Sequence, residues 1–123
     1  MVRFGPFTSD GCRVNAKDTY DDDLDSGRRP RYGVSTFATF VEDGAEVDDA
    51  IAHICKTAPC GGRKVARVWS DDLERLGFSV HNDEPPPMHY LVGAGDLAAL
   101  PDFDALAIIW ASNKVGNPAF GKR

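Results

Sequence analysis

The side chains best suited to chemistry are gathered around one proline-rich loop. His81 and His89 lie on either side of a run of three prolines (85–87), and Asp83 and Glu84 lie between them. A histidine titrates near neutral pH, and a carboxylate beside it can orient the ring for proton transfer. These four residues are therefore the candidate catalytic set, provided that the flanking segments bring them together. The alternative is that both histidines are half-exposed strand residues and that the two acids only keep the loop soluble.

The segment from residue 63 to residue 92 must position that loop. Its pattern predicts a strand, a two-turn helix, a second strand, the extended proline run and a third strand. Gly77 ends the helix, because glycine tolerates the left-handed backbone of a helix stop. Val80 then faces inward by strand alternation, so His81 points outward. If the strands before and after the prolines pair, His89 shares this outer face.

Three further segments have a clear pattern. Residues 31–41 are rich in β-branched and aromatic side chains, which predicts a strand. Residues 46–58 carry apolar side chains at three- and four-residue spacing, which predicts an amphipathic helix. Residues 105–111 form a continuous apolar run, for which we favour a helix because Asp102 and Asp104 are good caps. A buried strand is the alternative for that run.

These elements predict an α+β fold in one small domain. We expect a mixed sheet of four or five strands, with two or three helices mainly on one face. Residues 31–123 form this domain, including a C-terminal tail. Residues 1–30 are rich in Gly, Pro, Asp and Ser and have little periodicity, so we predict an irregular N-terminal segment there. A chain of 123 residues can bury enough surface to fold without disulfides.

Three short motifs resemble cofactor or metal sites, but each of them lacks a feature that such a site requires. Residues 93–98 fit the glycine spacing of a dinucleotide loop, but Asp96 would repel a phosphate. The alternating aspartates within 21–25 resemble the start of a calcium loop, but the sixth loop position lacks its glycine. His53 and Cys55 would point about 200° apart on a helix, so they cannot share a zinc ion. We therefore predict no cofactor and no metal.

The charge distribution limits the classes of partner. The net charge is −5, and the one cluster of arginines, at 28–31, directly follows the acidic run at 21–25. Binding of nucleic acid needs concentrated positive charge, so we predict no nucleic-acid partner. No segment approaches the ~20 apolar residues of a membrane helix, so we predict no membrane partner. Without a leader-like apolar core, and with three cysteines, the sequence indicates a cytoplasmic protein with reduced thiols.

No motif in the sequence specifies a reaction. The acidic charge favours, as a first hypothesis, a non-catalytic binding or interaction protein that holds a small ligand or a basic protein partner. The second hypothesis is a small hydrolase or transferase-like enzyme that uses His81, His89 and a nearby carboxylate. A small sheet leaves edges and a face to cover, so we also expect a homodimer. Its apolar surface would come from aromatic side chains: Tyr32, Phe37, Phe40, Tyr90 and Trp110.

Overall fold

The computed structural model describes residues 1–121, in which six strands and four helices follow one another along the chain. The strands are β1 (Val2–Arg3), β2 (Val34–Phe37), β3 (Lys64–Arg67), β4 (Ser79–Asn82), β5 (His89–Gly93) and β6 (Lys114–Gly116). The helices are α1 (Ser9–Asp25), α2 (Val47–Thr57), α3 (Ser70–Arg75) and α4 (Phe103–Ser112). The predicted α+β class is confirmed, with one or two more strands and helices than expected. Lys122 and Arg123 of the predicted tail lie outside the described residues.

The strands form one open sheet in the order β4-β5-β2-β1-β3-β6, and its five pairings are all antiparallel within residues 1–121. The prediction of a mixed sheet is therefore wrong. β2 and β3 do run in the same direction on either side of α2, as in a crossover unit, but β1 lies between them and pairs with both. β1 is only two residues long, and the sequence pattern there does not indicate its central position in the sheet.

Helix α1 occupies most of the segment predicted to be irregular, residues 1–30, so that prediction is also wrong. Thr8 caps the helix, because its hydroxyl oxygen accepts a hydrogen bond from the Gly11 amide at 3.1 Å. The buried side chains of α1 have helical spacing but are small or charged: Cys12, Ala16 and Asp23. They supply little apolar surface, so hydrophobic periodicity could not reveal the helix.

The helices lie on both faces of the sheet, and each face has its own core. On one face α1, α3 and α4 pack against a core that includes Val34 and Val92. On the other face α2 packs against a core that includes Val2 and Val65. Helices mainly on one face were expected, and α2 is the exception. The apolar stripe of a helix shows that one side is buried, but it does not record which face of the sheet buries it.

Several elements agree with the sequence prediction. α2 lies within the predicted range 46–58. Residues 105–111 belong to helix α4, not to a strand, and Asp102 caps that helix by accepting the Ala105 amide hydrogen at 3.0 Å. Gly77, with φ of +93°, follows α3 in the left-handed conformation that only glycine adopts readily.

Of the five aromatic side chains proposed as an association surface, two are buried, two (Tyr32 and Tyr90) are half-buried and one is exposed. Phe37 and Trp110 are buried in the two cores, so they cannot belong to such a surface. Phe40 is 90% exposed.

In the part of the chain that the structure describes, none of the helices combines the length and the apolar character needed to cross a bilayer.

Candidate functional site

The β4–β5 hairpin places Asp83 and His89 opposite each other. The Asp83 amide donates to the His89 carbonyl at 2.8 Å, which extends the strand pairing one residue beyond β4. His89 Nδ1 lies 3.1 Å from Asp83 Oδ2 and 3.1 Å from the Asp83 carbonyl oxygen. The imidazole also packs against Phe37, with ring centroids 5.2 Å apart, and its side chain is 12% exposed. Contact between one ring nitrogen and a carboxylate, together with partial burial, orients an imidazole for acid–base chemistry.

Arg31 connects this pair to helix α1. Its Nε and Nη2 donate to the two carboxylate oxygens of Asp23, both at 2.9 Å, and its Nη1 donates to Asp83 Oδ1 at 2.8 Å. Asp23 is 1% exposed and has a second cation, Arg28, at 3.3 Å. Asp23, Arg31, Asp83 and His89 therefore form one continuous chain of contacts from α1 to β5.

The charges in this chain stabilise one another. The hydrogen bonds from Arg31 hold the pKa of the Asp23 carboxyl below its usual value. The bonds to Asp23, and then to Asp83, raise the pKa of the Arg31 guanidinium. Asp23 and Arg31 therefore both stay charged at neutral pH. The Arg31 cation contacts Asp83 Oδ1, whereas His89 contacts Asp83 Oδ2.

His81 lies outside this network. It pairs with Leu91 on β5, two residues from His89, so the two histidines share one face of the sheet, as the sequence pattern indicated. His81 is nevertheless exposed and does not line the cleft described below. The structure brings Asp83 and His89 together and leaves His81 at the rim of the sheet.

Glu84 closes the proline turn. Its carboxylate accepts hydrogen bonds from Asn82 Nδ2 at 2.6 Å and from the Met88 amide at 3.2 Å. The bond from Asn82 lowers the pKa of Glu84 most, followed by the bond from Met88. Met88 has φ of +65°, an uncommon conformation for a residue with a side chain, and the bond to Glu84 holds it in place. Glu84 is therefore a turn residue in this structure.

A cleft of about 180 Å³ separates helix α1 from the hairpin. Asn15, Asp18 and Asp22 line it from the helix, and Ser35 and His89 line it from the sheet. Asp83 and Arg31 also reach this cleft, so the contact chain forms part of its wall.

Sequence reasoning missed the residues that hold the floor of the cleft. β1 ends before it reaches Ser35, so within residues 1–121 the main chain of Ser35 has no strand partner on that side. Asn15 Oδ1 accepts the Ser35 amide hydrogen at 2.7 Å, and Arg3 Nη1 donates to the Ser35 carbonyl at 2.8 Å. Arg3 is buried, with 3% of its surface exposed. The side chains of Asn15 and Arg3 thus satisfy the main-chain polar groups that a longer β1 would have paired. No local sequence pattern predicts that side chains replace strand hydrogen bonds in this way.

The acidic run that resembled a calcium loop lies on α1. Residues two apart on a helix point in different directions, so these carboxylates do not converge. Asp23 turns inward to Arg31, whereas Asp21 contacts Lys17 at 2.9 Å on the surface. Within residues 1–121, no three His, Cys, Asp or Glu side chains are grouped closely enough to hold a metal ion.

Known proteins offer no guide to this cleft. No protein-family model, no curated protein and no solved structure matches the chain. Only the geometry and the charge of the residues around the cleft therefore indicate what it can bind or catalyse.

Proposed function

We propose that this protein binds a cationic group, carried by a small ligand or by a basic protein partner, in the cleft between α1 and the β4–β5 hairpin. The unbalanced charge of the cleft wall supports this most strongly. Asp18 and Asp22 lie on the wall and have no ion-pair partner among residues 1–121, whereas Arg28 and Arg31 both contact Asp23. A cation in the cleft would meet two carboxylates that form no ion pair within residues 1–121, and the net charge of −5 would favour its approach.

Calorimetric titration with a hexa-arginine peptide, at low and at physiological ionic strength, tests this proposal. We expect saturable binding that weakens as salt is added, because exposed charges are screened. The double variant Asp18→Asn/Asp22→Asn should bind about fivefold to tenfold more weakly, since each exposed ion pair contributes less than about 1 kcal/mol. Absence of saturable binding to the wild-type protein would rule the proposal out.

The matched control for this titration is the double variant Asp43→Asn/Asp71→Asn. It removes the same charge from two exposed aspartates outside the cleft. We expect it to keep most of the affinity. Equal losses in the two double variants would mean that only the net charge matters, and that the cleft is not the binding site.

A second candidate function is a small hydrolase or transferase-like enzyme, and the contact between Asp83 and His89 inside the cleft favours it. A histidine that acts as a general base needs an oriented ring and access to a substrate. The contact with Asp83 orients the His89 ring, and the cleft that His89 borders gives a substrate access to it. His89→Gln should then abolish any turnover, and His81→Gln should preserve it. Equal activity in the two variants would exclude this candidate.

We propose further that the protein associates as a homodimer through the exposed aromatic side chains that follow β2 and β3. Phe40 follows β2, and Trp69, which follows β3, is 55% exposed and lines a groove against α2. Light scattering at micromolar concentration should give twice the chain mass. Phe40→Ser should lower that mass, and a monomeric wild-type protein would exclude the dimer.

A further inference from the structure

The geometry points to Ser35 as the nucleophile of a Ser35–His89–Asp83 set that transfers the acyl group of an ester carrying a cationic substituent, with Asn15 as the donor to the oxyanion. The inference rests on the acid–base candidate above for its base, and on the proposed cation site for its substrate class. Ser35, Asn15, His89 and Asp83 all line the same cleft.

Strand register places the hydroxyl and the base on one face. Ser35 pairs with Leu91 and Phe37 pairs with His89, so Ser35 and His89 are diagonal neighbours on the β2–β5 ladder. Diagonal neighbours lie about 7–8 Å apart along the sheet, within reach of a ring that extends from one strand towards the other. The hydroxyl and the ring are not hydrogen-bonded in this structure, and such contacts commonly tighten only when substrate binds.

The orientation of the Asn15 amide follows from its partners. Its Oδ1 accepts from the Ser35 amide at 2.7 Å and from Arg3 Nη1 at 3.3 Å, and both of these groups can only donate. Nδ2 is therefore the end of the amide that is left to donate. Asn15 also lines the cleft, so its Nδ2 can serve an oxyanion that forms on a substrate bound at Ser35.

Helix α1 and β1 also hold the nucleophile rigidly. The Ser35 amide is bonded to Asn15 and its carbonyl to the buried Arg3, so the main chain is fixed on the side where β1 is missing. Asp83, held by Arg31, contacts His89 Nδ1, which leaves Nε2 as the nitrogen that takes up a proton. Nucleophile, base, orienting carboxylate and oxyanion donor are the four parts that acyl transfer requires.

In the first step Ser35 Oγ attacks the ester carbonyl carbon, its proton passes to His89 Nε2, and Asn15 Nδ2 donates to the oxyanion. When the tetrahedral intermediate collapses, the C–O bond to the leaving alcohol breaks and the alkoxide takes the proton from His89. Water then attacks the acyl-serine by the same route, the carboxylic acid departs and Ser35 regains its proton. The sum is ester plus water to acid plus alcohol, with no change of oxidation state.

A fluorophosphonate probe tests the nucleophile directly. Attack by Ser35 Oγ forms a phosphonyl-serine with loss of fluoride, which intact-mass measurement and peptide mapping detect. We expect one label on wild-type protein, at Ser35, and no label on Ser35→Ala. His89→Gln should slow labelling by about a hundredfold, in the range expected for loss of a general base.

Ser79 provides the matched serine control. It lies on the same face of the sheet, and its hydroxyl is bonded to the Ala94 carbonyl. Ser79→Ala should therefore be labelled at Ser35 as fast as the wild-type protein. A label that depends on Ser79, or on neither serine, would overturn the inference, provided that thermal melts show both variants folded.

Hydrolysis of 4-nitrophenyl esters tests the nucleophile, the base and the substrate class separately. We expect the wild-type protein to hydrolyse an ester with a quaternary ammonium group faster than 4-nitrophenyl acetate. The variant Asn15→Asp keeps the acceptor for the Ser35 amide but loses the donor to the oxyanion. It should hydrolyse these esters slower than the wild-type protein by about a hundredfold or more. Hydrolysis that needs His89 but survives in Ser35→Ala would overturn the assignment of Ser35 and leave the acid–base candidate standing. Binding of hexa-arginine without labelling or hydrolysis would overturn the inference and leave the proposed cation site intact.

Discussion

The sheet face that carries Phe37 is covered in two different ways on either side of that residue. The apolar half consists of Val2, Val65 and the α2 side chains Ile51 and Ile54, which are buried together with Phe37. The polar half consists of Ser35, Asp83 and His89 on the sheet, with Asp23 and Arg31 beside them. Phe37 and His89 pair across β2 and β5, so the boundary between the halves is a single contact.

The two halves differ in the kind of contact that is needed to bury them. Apolar burial is non-directional, so the apolar half is closed by any side chains that fill the space. Buried polar groups need partners at defined distances and angles, so the polar half is closed only where such partners exist. Within residues 1–121, Asn15 Nδ2 and the carboxylates of Asp18 and Asp22 have no hydrogen-bond or ion-pair partner, and all three residues border the cleft. The polar half is therefore the part of this face where a ligand would gain specific contacts.

The largest expected effect tests the apolar half. Ile54→Ala should lower the free energy of unfolding by about 2–5 kcal/mol, because it leaves a cavity under α2. Urea unfolding followed by circular dichroism measures this loss. Ile108→Ala, at a position that is exposed on α4, is the control and should change stability by less than about 0.5 kcal/mol. Equal losses in the two variants would mean that α2 does not close this half.

The next effect tests the polar half through Arg31. Arg31→Met keeps much of the side-chain volume but leaves the buried Asp23 without its main cation. We expect a loss of about 2–3 kcal/mol in the same urea assay, below the full cost of breaking a buried pair because Arg31 is itself partly exposed. Arg75→Met, which removes a surface contact with Asp72, should cost less than about 0.5 kcal/mol. A loss as small as that control would show that the network contributes no stability.

Acid should weaken the polar half and spare the apolar half. The pKa of Asp23 is lowered in the folded protein, so its stabilising contribution is complete above the unfolded carboxyl pKa of about 3.9 and is lost as pH falls through its lower folded value. The stability difference between wild-type protein and Asp23→Asn should therefore shrink below about pH 4. Urea titrations at several pH values measure it. A difference that stays constant across that range, as we expect for Ile54→Ala, would contradict this view.

The smallest effect compares the two histidines. His89→Gln removes the ring from Phe37 and Asp83 and should cost about 1 kcal/mol. His81→Gln replaces an exposed side chain and should change stability by less than about 0.5 kcal/mol. Thermal and urea unfolding of the two variants in parallel would reveal the difference. The reverse order would mean that the contacts of His89 with Phe37 and Asp83 contribute no stability.

Local patterns in the sequence were sufficient to predict helices α2, α3 and α4. A few neighbouring residues were enough to predict each of these helices: the apolar stripe for α2, the Asp102 cap for α4 and Gly77 at the end of α3. They were enough because propensity, capping and periodicity act locally. Strand alternation likewise indicated that His81 and His89 share one face if the two strands pair, and β4 and β5 do pair. These features required no knowledge of distant contacts.

The polar half depended on contacts that no local pattern contains. Asp23 and Arg31 are separated by eight residues from each other and by more than fifty from Asp83, and Ser35 is held by Arg3 and Asn15 from far along the chain. α1 escaped prediction because its buried residues are small or charged, and the mixed sheet was wrong because two residues of β1 entered between β2 and β3. The sequence by itself therefore determined the α+β class and the strands on either side of the proline run, but not that these strands pair. Only the tertiary structure decided which of the four candidate residues meet, since directional polar contacts between distant segments exist only after the chain has folded.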